Sequence, residues 1–138
     1  MGLDAVVYRN GGSVSGIYGG GVFESDSTTG EAVPKEGVAG EIPEEVLVAS
    51  RQRIGNVDQV GFLRQEVQRL LGDSVLTCKV LYSGSHSGDV VAVAEFPKLR
   101  RELDVLKRRR DVRLDSFLEA MDSLLAAGEA EQNPIVFV

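Results

Sequence analysis

The chain has a single cysteine, Cys78, and a single histidine, His86, in 138 residues. One cysteine excludes an intramolecular disulfide, and nothing in its use points to an oxidising compartment; the cytosol is the expected setting. One histidine, with no HExxH and no CxxC pair, leaves a zinc site without its usual ligands, so no metal and no cofactor is expected. No apolar run approaches the roughly 18 residues that a membrane span needs. The opening MGLDAVVYRNGG lacks a basic stretch followed by an apolar one, which predicts no signal peptide. Val6 stands where a myristoylation motif needs Ser or Thr. No GK[ST] occurs, and Gly19-Gly20-Gly21 neither follows a strand nor opens a helix, so neither a P-loop nor a dinucleotide fingerprint is present. The segment SDSTTGE lacks the alternating Asp/Asn of a calcium loop.

What remains is enough for a core. At 14.8 kDa and 43% apolar content, one domain over residues 1–138 that needs no staples is expected. Leu3 to Arg9 reads as a central strand closed by Asn10-Gly11-Gly12. Residues 10–40 hold nine of the sixteen glycines and lose apolar periodicity, predicting a loop segment that is mobile and protease-sensitive. Within it, residues 22–24 and 31–33 flank a turn and predict a short hairpin with Gly30 at positive φ. Glu45 to Ser50 is read as a strand, in preference to a helix starting after Pro43.

Asn56 and Gln59 form a capping box ahead of Val60, Leu63, Val67, Leu70 and Leu71, which predicts a helix over 57–71 ending at Gly72. Val75 to Tyr82 (VLTCKVLY) reads as a strand that buries Cys78 and pairs in a hairpin with a second strand over 90–95. Pro97 opens a helix to 110 with Leu99, Leu103 and Leu106 on one stripe. Ser116 and Glu119 predict a capping box for a last helix over 115–127 that stops at Gly128. Residues 134–138 add a final strand. The order is mixed, so the expected fold is α+β, a mainly antiparallel sheet packed against about three helices.

Two segments could carry function. Ser83, Ser85, His86 and Asp89 supply the side-chain types of a hydrolytic triad in SGSHSGD, or a backbone nest for an anion or nucleotide. Residues one to three apart on a turn rarely present hydroxyl, imidazole and carboxylate in line, so a plain turn is favoured and no catalytic machinery is expected. The second is the basic helix. Residues 98–113 hold eight basic and three acidic residues, a net of +5, which leaves −11 for the rest of a chain whose net charge is −6. Arg100, Arg101, Arg108 and Arg109 are the candidate binding residues. Taken by itself the charge run is nonetheless read first as a solvated face, trimmed by Asp104 with Arg108 and Arg100. The negative total argues against nucleic acid, and a two-sided charge suits a protein partner.

MGLDAVVYRN, RIGNV and KVLYSGSHSGD, taken together, resemble elements of a group of small bacterial proteins without assigned function. The resemblance covers the start and about residues 50–95. It implies a bacterial cytosolic protein and brings no site residues with it. The function expected is a non-enzymatic binding module of the immunity or regulatory kind.

Overall fold

The Asn56 side chain accepts a hydrogen bond from the Gln59 N–H (2.9 Å), while the Gln59 side chain accepts from the Asn56 N–H (2.8 Å). This capping box starts helix α1 (Val57–Leu71), which buries Val60, Leu63 and Val67 and ends at Gly72, φ 67°. The computed structural model describes residues 2–9, 23–25, 32–34, 48–82, 90–109 and 111–137. Among them, strands β1 (Gly2–Tyr8), β4 (Val48–Asn56), β5 (Val90–Val91) and β6 (Ile135–Phe137) form one sheet in the order β4-β1-β6-β5, every pair antiparallel. A separate hairpin pairs β2 (Phe23–Ser25) with β3 (Ala32–Pro34), within a residue of the expected positions. The fold is α+β with a mainly antiparallel sheet, as the order of elements implied.

β1 is central because it is apolar nearly throughout. Leu3, Ala5 and Val7 face the core, and Val6 is buried as well. β4 flanks it for its whole length and is longer than expected, running without a loop into α1; Asp4 and Arg53 bridge the two strands at 3.1 Å. Helix α3 (Asp115–Glu131) crosses β4 and β1, and α1 packs beside it on β4. Helix α2 (Phe96–Arg109) packs on α1 and α3. Its buried stripe is Phe96, Leu99, Leu103 and Leu106, together with Glu102.

Five expectations fail. Val75 to Tyr82 forms no strand: Leu76–Val80 is a π-helical turn, and the hairpin with 90–95 is absent. Strand structure at 90–95 shrinks to Val90–Val91, followed by a 3₁₀ turn, Val93–Glu95. The cause lies partly in Ser74 and Thr77. The Thr77 N–H donates to Ser74 Oγ (3.1 Å) and the Ser74 N–H to Thr77 Oγ1 (2.9 Å), a local cap that favours a turn over an extended chain. Contacts from outside the segment add to it: the Glu102 carboxylate takes the N–H groups of Val75 and Leu76, Arg64 donates to the Tyr82 carbonyl (3.0 Å), and Lys79 pairs with Glu95 (2.7 Å). Cys78 consequently sits on the outside of this turn and is exposed, not buried. The Ser116–Glu119 box does not cap α3 either. A 3₁₀ turn, Val112–Leu114, capped by Asp111, leads into the helix at Asp115. α3 also runs past Gly128 to Glu131, ending at Gln132 in the left-handed region (φ 55°). The loop expected over 10–40 lies, apart from β2 and β3, outside the described residues.

Candidate functional site

Helix α2 owes its position to its leucine stripe and its exposure to what remains. Placing successive residues 100° apart sets Arg101 and Arg108 opposite Leu99, Leu103 and Leu106, with Asp104 beside them and Lys98 and Arg109 along one flank. Arg100 and Lys107 lie on the other flank, toward α3. There Arg100 pairs with Glu129 (2.6 Å) and Lys107 with Asp122 (2.8 Å). Both pairs are about half exposed, so each contributes at most about 1 kcal/mol and chiefly orients the two helices.

The other cations of α2 are differently placed. Lys98, Arg101, Arg108 and Arg109 are exposed and make no ion pair among the described residues. The pairs expected from Asp104 to Arg100 and Arg108 do not form; Arg100 turns to α3 instead. The dipole of α2 favours Arg108 and Arg109, which stand in its last turn. It disfavours Lys98 in the first turn, where no acidic residue belongs to the helix. Glu95, just upstream, is taken up by Lys79 (2.7 Å) and by the Ala92 N–H (3.1 Å). Arg101 and Arg108, seven residues apart, are separated by about 10 Å along the helix axis.

Of the four arginines singled out by sequence, three thus share the outer or flanking surface of α2, and Arg100 belongs to the α2–α3 contact. Ser83, Ser85, His86 and Asp89 lie outside the described residues. Among the described residues, no group of three or more His, Cys, Asp or Glu side chains could hold a metal ion, and no helix is long and apolar enough to cross a membrane.

Sequence reasoning missed two features. A cleft of about 430 Å³ lies beside α1, with Ile54, Leu63 and Phe117 among its lining and Phe62 and Arg113 at its side. The Arg113 guanidinium sits 5.2 Å from the Phe62 ring centre and is held by Asp111 through Nε (3.0 Å) and Nη2 (2.7 Å). Glu66 adds a longer contact, at 3.6 Å. Hydrogen bonding from Arg113, first from its side chain and then from its backbone, holds the Asp111 carboxyl down at about 2. Arg113 is thus engaged within the molecule. The second feature is Glu102, buried on the stripe of α2. Its spacing was the available signal, since it stands three residues after Leu99 and four before Leu106.

No protein-family model matches the chain, and no curated protein and no solved structure matches it significantly.

Proposed function

We propose that this chain is a non-enzymatic protein-binding module, of the immunity or regulatory kind, that docks the outer face of α2 against an acidic surface of a partner protein. The resemblance noted in the sequence makes a bacterial cytosol its expected setting. The observation that carries the reading is the state of Lys98, Arg101, Arg108 and Arg109. They are exposed, they have no ion pair among the described residues, and Lys98 opposes the dipole of its own helix. Local choices that work against the fold without compensation are expected at functional surfaces. An acidic protein patch fits this face better than a nucleic acid does. A chain of net charge −6 is repelled by an extended polyanion, whereas a bounded patch meets only the outer face of α2, where Lys98, Arg101, Arg108 and Arg109 outnumber Asp104.

The test is capture from the native host by immobilised protein, followed by purification of the captured protein and titration against the wild type and against Arg101→Ala/Arg108→Ala. Binding that weakens with salt and falls at least tenfold in the double variant supports the proposal. Undiminished binding by the variant contradicts it, as does capture of nucleic acid instead of protein. Esterase or phosphatase turnover by the wild type that disappears in His86→Ala would contradict the non-enzymatic part.

A further inference from the structure

One flank of α2 already receives an acidic helix. Arg100 pairs with Glu129 (2.6 Å) and Lys107 with Asp122 (2.8 Å). The two cations stand seven residues apart on α2 and the two carboxylates seven apart on α3, in opposite order, so the helices run antiparallel and share one repeat. Seven residues make nearly two turns, about 10 Å, and bring a side chain back to almost the same bearing. A buried leucine lies between the charges along each helix, Leu103 on α2 and Leu125 on α3.

The outer face of α2 repeats this arrangement one residue further on. Arg101 and Arg108 are again seven apart, exposed and without an ion pair among the described residues. Between them stands Val105, half-buried and within about 60° of both around the axis. Lys98, one turn before Arg101, and Arg109 beside Arg108 extend the cationic strip at its two ends.

This spacing selects the shape that can meet it. Side chains on one face of a strand recur about every 6.8 Å, so its carboxylates would stand either too close or, at about 13.5 Å, too far apart to face both arginines. On a helix the seventh residue lies about 10 Å away on the same face. A second copy of this chain does not supply the match. Among its described helices, the carboxylates seven apart are Asp115 with Asp122 and Asp122 with Glu129, and Asp122 and Glu129 are already held by Lys107 and Arg100.

We propose that the partner meets α2 with an α-helix running antiparallel to it, which carries two carboxylates seven residues apart on either side of an apolar residue. The earlier carboxylate faces Arg108, the later one Arg101, and the apolar residue covers Val105. The inference rests on the reading of α2 as the docking face and adds the form of the partner's surface.

The probes are three synthetic peptides of equal composition and charge. The first is stapled as a helix, with glutamates seven residues apart and a leucine midway; the second is stapled with the glutamates five apart, on different faces; the third is unstapled and broken by a central proline. Each is titrated at low ionic strength against the wild type and against Arg101→Ala/Arg108→Ala, followed by fluorescence anisotropy. The first peptide should bind the wild type tighter than either control by about threefold or more, the scale of two exposed ion pairs, and the preference should vanish in the double variant. A nitroxide on its N-terminus should broaden the amide signals of Arg108 and Arg109 and spare Lys98. Equal binding of the three peptides, no binding by any, a preference that survives in the double variant, or broadening centred on Lys98 overturns the proposal. Equal binding that is lost in the double variant would remove the helix and leave α2 as the docking face, whereas binding of the whole partner undiminished by that variant removes the docking face itself.

Discussion

The Phe96 ring occupies the space that a side chain at Gly128 would need. A Cβ built on Gly128 would lie 2.6 Å from the ring, and 3.0 Å from the Asn133 carbonyl. This contact joins the start of α2 to the end of α3 and accounts for a helical glycine that would otherwise weaken α3. Alanine there gains about 1 kcal/mol of helix propensity but forces apart two packed elements, at a cost of about 1–3 kcal/mol. Gly128→Ala should therefore destabilise the protein, by up to about 2 kcal/mol in urea unfolding, and Phe96→Leu in the same chain should reduce that penalty. A neutral or stabilising Gly128→Ala would show that the ring moves aside freely.

Asp111 and Arg113 make a pH-dependent contribution of definite sign. The folded carboxyl titrates at about 2, below its ordinary value of 3.8, so the stabilisation is complete above 3.8 and is lost as the pH falls through about 2. Arg113→Gln should return the Asp111 midpoint toward 3.8 in a carboxyl-detected NMR titration. Stability above about pH 5 should depend little on this pair's titration. A midpoint unmoved by the substitution would mean that Arg113 is not what holds it down.

The capping box of α1 predicts a local loss. Asn56→Ala removes the acceptor for the Gln59 N–H and should cost about 1 kcal/mol, with Asn56→Asp or Asn56→Ser restoring most of it. Thermal unfolding of the three variants checks this; equal midpoints for wild type and Asn56→Ala would contradict it.

These elements show how far the sequence could be read. Where a helix carried its own periodic stripe and a start signal, the capping box of α1 or Pro97 of α2, local reading located it to within a residue or so. β1 and β6 were legible from their branched apolar residues. Val75–Tyr82 was not, because strand propensity there is overruled by contacts from outside the segment, among them Glu102, 26 or 27 residues further along the chain, and Arg64, 18 residues before Tyr82, and local reading cannot register such bonds. The Ser74–Thr77 cap is local, but the apolar run that follows Ser74 reads as a strand whether or not that cap forms. The end of α3 was misplaced because glycine is the usual stop signal, and only the Phe96 contact explains its place inside the helix. On α2, the charge was countable from sequence. Which cations α3 takes up could not be counted, since Glu129 and Asp122 are brought alongside by the packing of the two helices.

The central claim is that the outer face of α2 meets the partner. Its most direct test is an amide and side-chain NMR footprint of the chain bound to the purified partner. The account predicts the largest shifts at Lys98, Arg101, Arg108 and Arg109, including their side-chain resonances, with β4 and α1 little changed. Shifts centred on the Phe62–Arg113 cleft, with α2 unperturbed, would contradict it.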